Sequence, residues 1–236
     1  MGCMPVTSDS YGTGPGVITR DGCAVDFYAQ MPALGEPAIV HDAAGDGVSI
    51  LELGCGAGRV TRPLAAFGYP VVAVDESPEM LAHVREAETV CARIQELSLG
   101  RRFGAVLLAS HLINVADDDT RKALLAACRR HVADDGCVIV EQHAPEWFSA
   151  ARETEITRDG ITCRMRDLSR PAPNLLSATV EYVVGDKRWT QTFTAMRLDD
   201  AELGVALAAA GLRLDRYLTE DRSWFRAVPV TALSAG

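Results

Sequence analysis

The stretch from Ile50 to Val60 constrains the fold of this chain more than any other. It reads Ile-Leu-Glu-Leu-Gly-Cys-Gly-Ala-Gly-Arg-Val, an apolar run followed by three alternate glycines. The apolar positions predict a buried parallel strand, and the glycines predict a turn where a ligand can touch the backbone. A helix that begins near Arg59 would aim its free N–H groups at that ligand. The stretch therefore predicts a pocket for a nucleotide-like ligand.

Further apolar runs follow at regular intervals. Residues 71–74 predict a second buried strand that delivers Asp75 at its end, and the stretches 103–109 and 137–141 predict two more. Helical patterns separate these strands, with connections long enough for crossovers. The alternation indicates an α/β fold with a doubly wound parallel sheet over about residues 48–145.

The regions on either side of this alternation have different sequence patterns. Residues 1–44 predict a helical lid preceded by a flexible arm over about residues 1–17, which is rich in glycine and proline. The stretch 151–197 has strand-forming runs separated by turn signals, which predict a small antiparallel β insertion. Residues 198–230 predict a helix and two strands that return to the main sheet.

Composition limits the functional classes. Lys and Arg number 23 against 32 Asp and Glu, a formal charge of −9, which disfavours nucleic acid and anionic membrane surfaces as partners. No apolar run approaches the roughly 18 residues of a membrane span, and the N-terminus lacks a signal pattern. Seven cysteines without C-x-x-C pairing indicate reduced thiols, so we expect a cytoplasmic protein with no metal site.

The position of Asp75 raises a dinucleotide-binding alternative. It follows Gly54 at about the 20-residue spacing of the ribose-binding acid in NAD-dependent dehydrogenases. The third position of the G-x-G-x-x-G fingerprint, however, is Arg59 or Thr61, where close packing requires Gly or Ala. A P-loop is excluded because no G-x-x-x-x-G-K-[ST] occurs. A dehydrogenase is thus the weaker interpretation.

Two motifs in register carry a more specific resemblance. Residues 52–59 followed by residues 71–81 closely resemble the class I S-adenosylmethionine-dependent methyltransferases, over about residues 45–145. The resemblance implies a seven-stranded Rossmann-like sheet formed by residues 45–150 and 198–230. It also implies S-adenosylmethionine as cofactor and S-adenosylhomocysteine as product.

The same resemblance implies a cofactor site. The glycines would admit the methionine portion against the backbone, and Asp75 would accept hydrogen bonds from both ribose hydroxyls. Arg93 stands where many relatives carry the acid that reads the adenine amino group, and arginine cannot accept a hydrogen bond. We therefore expect Ile94 and Gln95 to read the adenine. The full predicted set is Glu52, Gly54, Cys55, Gly56, Gly58, Asp75, Glu76, Met80, Ile94, Gln95 and Ala109.

Candidates for catalysis follow the third and fourth strong strands. Methyl transfer from a sulfonium is an in-line displacement, and a base helps when the nucleophile carries a proton. His143 is slightly preferred over His111 as that base, and Tyr28 is the third catalytic candidate. For each of the two histidines, a hydrogen-bonded structural role is the alternative. The predicted substrate-binding residues are Tyr28, Ser110, His111, His143 and Trp147.

The absence of one motif narrows the possible classes of methyl acceptor. The Asn/Asp-Pro-Pro-Tyr/Phe motif of adenine and amide N-methyltransferases is absent, since Ala109-Ser110-His111-Leu112 stands in its place. The resemblance then favours the small-molecule, natural-product tailoring type, with an aromatic or amine-bearing acceptor and N-, O- or C-methylation. In similar enzymes a β-rich insertion covers the substrate side, the role expected for residues 151–197. The chain is expected to be a monomer or homodimer, and a non-catalytic S-adenosylmethionine-binding protein remains the alternative.

Overall fold

The computed structural model describes residues 10–230, which form two sheets and seven helices. The strands are β1 (Tyr11–Thr13), β2 (Ile50–Leu53), β3 (Val71–Asp75), β4 (Glu88–Cys91), β5 (Phe103–Leu108), β6 (Val132–Glu141), β7 (Thr154–Arg158), β8 (Ile161–Ala172), β9 (Leu175–Val184), β10 (Lys187–Met196), β11 (Leu212–Tyr217) and β12 (Trp224–Pro229). The helices are α1 (Val25–Tyr28), α2 (Glu36–Ala44), α3 (Thr61–Ala66), α4 (Pro78–Leu81), α5 (Asp118–His131), α6 (Pro145–Ala150) and α7 (Asp200–Ala209), with 3-10 turns at Ile94–Glu96 and Leu112–Asn114.

The larger sheet has seven strands in the order β11-β12-β6-β5-β2-β3-β4. Strands β2 to β6 are parallel, whereas β12 runs antiparallel to both β6 and β11. The predicted seven-stranded α/β sheet is therefore confirmed. One of its seven strands, β12, is antiparallel to its neighbours. The order reverses between β2 and β5, and open sheets of this kind bind ligands at the carboxyl ends of the strands beside such a reversal.

Both faces of this sheet are buried. Alternate residues of the central strands, such as Leu51 and Leu53 of β2, pack with Leu124 of α5 and Leu203 of α7. Alternating positions of the same strands, such as Ile50 of β2 and Leu107 of β5, belong to a second cluster that includes Leu64 of α3. Continuous apolar strands are the expected consequence of helices on both sides.

The smaller sheet is antiparallel, with the order β1-β10-β9-β8-β7. Strands β7 to β10 are the insertion predicted within residues 151–197. Strand β1 adds a fifth strand by pairing with β10, with Tyr11 opposite Thr192. The prediction of a flexible arm was wrong for residues 11–13, because strand pairing satisfies their backbone groups; residues 1–9 of that arm lie outside the described part of the chain.

Helix α1 connects the N-terminal region to the centre of the fold. Its Val25 packs against Ala57, which lies between two glycines of the turn after β2, and against Met80 of α4. Its Phe27 is fully buried against Trp189 of β10. The helix therefore touches both the glycine turn and the antiparallel sheet.

Candidate active site

Residues 54–58, the glycine loop, turn tightly over the end of β3. The N–H groups of Gly54 and Cys55 both donate to the carbonyl oxygen of Val74, at 2.8 and 2.9 Å. Gly56 has a φ of +53° and leaves open space on one side, because a Cβ atom added there would meet no atom of residues 10–230 within 4 Å. The loop therefore presents accessible backbone at the carboxyl edge of the sheet, as its sequence predicted.

Asp75 fastens the glycine loop from the neighbouring strand. Its carboxylate accepts hydrogen bonds from the N–H groups of Gly56 at 2.8 Å and Ser77 at 2.9 Å. Burial raises the pKa of Asp75, and these two hydrogen bonds act in the opposite direction. Each oxygen accepts one backbone bond and retains acceptor capacity for a ligand hydroxyl.

Glu52 lies beneath the loop and points toward α3. Its carboxylate is buried and accepts a hydrogen bond from the Thr61 hydroxyl at 2.6 Å. Burial raises the pKa of Glu52 to about 7, against the opposing effects of the Thr61 hydrogen bond and the charge of Arg59. Its predicted role toward the ammonium group of a cofactor stays a prediction.

The predicted adenine side is formed by the ends of β3 and β4. Arg93 is engaged by two acids: its guanidinium lies 3.7 Å from Glu76 and 2.8 Å from Glu96. Ile94 and Gln95 are half-buried beside it. Met80 is only 3% exposed, so its side chain packs under the loop and offers little surface to a ligand.

At the end of β5 the backbone takes an unusual course. After the buried Ala109, Ser110 and His111 both lie in the left-handed region, at φ values of +55° and +57°. The Ser110 N–H donates to Glu141 Oε2 at 2.6 Å, and Glu141 Oε1 lies 3.8 Å from His111 Nε2. Two successive non-glycine residues in this conformation store strain, which is characteristic of functional sites.

The rings of His111, His143 and Trp147 form a stack that we call the aromatic column. His143 lies 3.9 Å from His111 and 4.0 Å from Trp147 between ring centroids, with interplanar angles of 15° and 9°. Phe193 of β10 stands beside the column, 6.3 Å from His143. The structure therefore brings the predicted acceptor-site residue His111 together with His143 and Trp147, which lie more than 30 residues later in the chain.

The two histidines of the column differ in their electrostatics. Burial lowers the pKa of His143 to about 2, assisted by the neighbouring His111. Burial also lowers the pKa of His111, but the carboxylate of Glu141 opposes it. A ring with a pKa of about 2 takes up protons poorly near neutral pH, whereas His111 has the carboxylate of Glu141 beside it.

Asn114 joins the column to the insertion. Its buried side chain accepts a hydrogen bond from the His143 backbone N–H at 2.8 Å and donates one to the Met196 carbonyl at 2.9 Å. A backbone bridge between Val115 and Ala195 lies next to it. The position of His143 is thereby tied to the last strand of the antiparallel sheet.

Tyr28 contacts a different set of residues. Its hydroxyl donates to Gln191 Oε1 at 2.9 Å, and its ring packs near Phe27, Tyr182 and Ala57. Burial raises the pKa of Tyr28 well above its ordinary value. Tyr28 therefore remains protonated and suits hydrogen-bond donation better than proton removal.

Three site residues were missed from the sequence: Glu141, Asn114 and Glu36. Glu36 at the start of α2 forms a largely buried ion pair with Arg59. Glu141 carried a usable signal, since it is an acid at the end of a buried strand, as Asp75 is. For Asn114 and Glu36 the sequence offers no such signal.

Residues 10–230 contain no group of three or more His, Cys, Asp or Glu side chains arranged to hold a metal ion. No helix in this part of the chain is long and apolar enough to cross a membrane.

Comparison by sequence identifies the central region. Residues 50–136 match the family model described as a methyltransferase domain. A dTDP-3-amino-3,6-dideoxy-alpha-D-glucopyranose N,N-dimethyltransferase of Streptomyces fradiae is 31% identical over 136 residues, which cover 56% of this chain and 51% of that protein. The chain spans about half the length of the curated relatives it matches.

Comparison by structure extends over most of the chain. The CcbJ methyltransferase of Streptomyces caelestis has a TM-score of 0.73 at 22% identity, over 88% of this chain and 96% of that one. The S-adenosylmethionine-bound amino pentose methyltransferase CalS10 of Micromonospora echinaspora has a TM-score of 0.67 at 22% identity, over 86% and 94%. At these identities the likeness shows the fold. Residues 50–136 therefore match a methyltransferase domain, and most of the chain shares the fold of solved S-adenosylmethionine-dependent methyltransferases.

Proposed function

We propose that this protein transfers a methyl group from S-adenosylmethionine to the amine nitrogen of a small-molecule acceptor. The observation that carries the proposal is the meeting of the glycine loop and the aromatic column at one edge of the sheet. The loop follows β2, while the column follows β5 and β6, and the strand order reverses between β2 and β5. Donor and acceptor sites at this edge suit an in-line displacement.

The glycine loop fits the cofactor. The open side at Gly56 accommodates a methionine portion against the backbone, and Asp75 has acceptor capacity for the two ribose hydroxyls. Ile94 and Gln95 are half-buried at the end proposed for the adenine. When bound, S-adenosylmethionine supplies an electrophilic methyl group on its sulfonium.

The aromatic column fits a cationic or planar acceptor. Aromatic faces attract ammonium groups, and the carboxylate of Glu141 lies beside the column. Two similar proteins point the same way by name, since one acts on a 3-amino-dideoxyglucopyranose and the other is an amino pentose methyltransferase. We therefore take an amino sugar or a related amine as the acceptor class.

His111 is the residue that we assign to proton removal. An ammonium group must lose a proton before its nitrogen can attack, and a neutral imidazole near the nitrogen can accept it. With its proton on Nε2, toward Glu141, the ring keeps a lone pair on Nδ1, which has no hydrogen-bond partner within residues 10–230. Since Nδ1 is covered in this structure, acceptor entry has to shift the ring or its cover.

The test begins with the purified full chain. Calorimetry with S-adenosylmethionine and with NAD separates the methyltransferase from the dehydrogenase interpretation, because tight binding of NAD alone would contradict our proposal. The chain is then incubated with S-adenosylmethionine and a panel of amino sugars, and mass spectrometry detects the addition of one methyl group.

The matched controls are the same sugars with a hydroxyl in place of the amine. We expect methylation of the amine series alone. Methylation of both series, or of the hydroxyl series alone, would refute the assignment of nitrogen as the acceptor atom. Cofactor binding without any product would favour a non-catalytic binding protein.

A further inference from the structure

Glu141 occupies a special position at the carboxyl end of β6. Its side chain is 13% exposed, and its two oxygens serve different partners. One accepts the Ser110 N–H at 2.6 Å, and the other lies 3.8 Å from His111 Nε2. A single carboxylate therefore contacts both residues of the strained turn after β5.

The hydrogen bond from Ser110 accounts for the persistence of that turn. Ser110 and His111 both have positive φ values although neither is glycine, and such strain survives only where surrounding contacts enforce it. The acceptor for the Ser110 N–H is a charged oxygen, which makes a stronger hydrogen bond than a neutral one. Glu141 thereby fixes where the His111 ring projects.

Among the charged groups around His111, Glu141 acts most strongly on the pKa of the ring, while burial lowers that pKa and a backbone hydrogen bond with Gln142 raises it. The other groups that face the ring are His143 in the aromatic column, Arg59 after the glycine loop and Glu36 on α2. Arg59 and Glu36 form an ion pair with each other, so their effects on the ring oppose, and His143 is uncharged near neutral pH. Within residues 10–230 the ion-pair partner of Glu141 is His111.

We propose that Glu141 is a positioning residue that sets the His111 ring in its proton-accepting orientation and stabilises the imidazolium formed there. The inference rests on the proposed function, in which His111 receives the proton of the acceptor amine. The proton would move from the ammonium nitrogen to the imidazole, and the nitrogen lone pair would then bond to the methyl carbon as the bond from that carbon to sulfur breaks, which leaves S-adenosylhomocysteine. Glu141 neither gains nor loses a proton in this step.

The decisive experiment is an NMR titration of the His111 ring in the full chain, assigned by the signal lost in His111→Gln. In Glu141→Gln an amide oxygen still accepts the Ser110 hydrogen bond, whereas the negative charge is gone. Because that charge favours the imidazolium, we expect the His111 midpoint to fall by about one pH unit. Asp186→Asn, at an exposed turn between β9 and β10, should leave the midpoint unchanged.

Kinetics with a methylated acceptor give the second readout. In Glu141→Gln the acidic limb of the kcat/KM profile should move to lower pH with the same displacement as the titration, while the affinity for S-adenosylmethionine stays constant. Glu141→Ala should in addition lower kcat, because the turn loses its anchor.

The two readouts distinguish the two proposals. An unchanged His111 midpoint in Glu141→Gln would overturn the role of Glu141, whether or not the protein methylates an amine. A lowered midpoint in a protein that methylates none of the panel would support the coupling of Glu141 to His111 and count against the proposed function.

Discussion

The glycine loop and the aromatic column are held in place by different means. The loop is fixed by backbone hydrogen bonds to Val74 and by one carboxylate, Asp75, all on two adjacent strands. The column takes its rings from two loops and α6, and stacking and Asn114 hold them. The geometry of the proposed cofactor site is thus local in sequence, whereas that of the proposed acceptor site depends on packing between distant segments. If this contrast is correct, substitutions should separate cofactor affinity from turnover.

The strongest separation is expected at His111. His111→Gln should lower kcat by a factor of about 10² to 10⁴, because a positioned general base contributes that much. The dissociation constant of S-adenosylmethionine, measured by calorimetry, should not change. Weakened cofactor binding in this variant would show that the two sides are one coupled unit.

Substitution of Asp75 tests the proposed cofactor site. Asp75→Ala removes the proposed ribose contacts and the anchor of Gly56, and hydrogen bonds to charged groups contribute about 1.5–3 kcal/mol each. We expect S-adenosylmethionine to bind about 100-fold more weakly or worse. Asp75→Asn keeps one carbonyl oxygen and should lose less. Equal affinity in Asp75→Ala and the unaltered chain would refute the ribose assignment.

The pH dependence of the free energy of unfolding tests the burial of Glu52 beneath the glycine loop. Its pKa of about 7 lies above the ordinary 4.5, so the folded state holds its proton more tightly than the unfolded state does. This stabilisation is fully present below about pH 4.5 and is lost as the pH rises through about 7, a change of about 3 kcal/mol.

Glu52→Gln keeps an oxygen for the Thr61 hydroxyl and should remove this dependence. In urea unfolding, the free energy of unfolding of the variant relative to the unaltered chain should rise by about 3 kcal/mol between about pH 4 and pH 8. Glu86→Gln, an exposed acid, is the control. A flat difference would mean that the pKa of Glu52 is the same in the folded and unfolded states.

The smallest effect is expected at Asn114. Asn114→Ala leaves the His143 N–H and the Met196 carbonyl without their partner, which should lower the free energy of unfolding by about 1–3 kcal/mol. The KM for the acceptor should rise while cofactor affinity holds. Asn114→Asp, which still accepts from His143, should show a smaller rise in KM. If Asn114→Ala weakened only the binding of S-adenosylmethionine, the proposed link through Asn114 between the aromatic column and the β insertion would be wrong.

The same contrast explains what the sequence could and could not predict. The glycines and Asp75 act through backbone conformation and strand position, which a local pattern records. The burial of His143 between His111 and Trp147 could not be predicted, because His111 comes from a loop about 30 residues earlier in the chain. The role of Tyr28 as a donor likewise depends on Gln191, which only the pairing of the antiparallel sheet brings near.

At the N-terminal arm, the sequence predicted disorder where the structure has a strand. Glycine and proline around residues 11–16 predicted disorder, yet residues 11–13 pair with β10. Local composition carries no information about an open strand edge formed by residues much later in the chain. Long-range pairing therefore supplied the order that local preference lacked.

The separate hydrogen-bonding of the two sheets has an evolutionary consequence. Strands β7 to β10 form their own antiparallel ladder, and their register is independent of the parallel strands that carry the glycine loop. Side chains on the inner face of this ladder, such as Phe193 beside the column, can change without disturbing the donor half. A lineage built on this plan can diversify its acceptors by mutation in one sheet while its methyl donor stays the same.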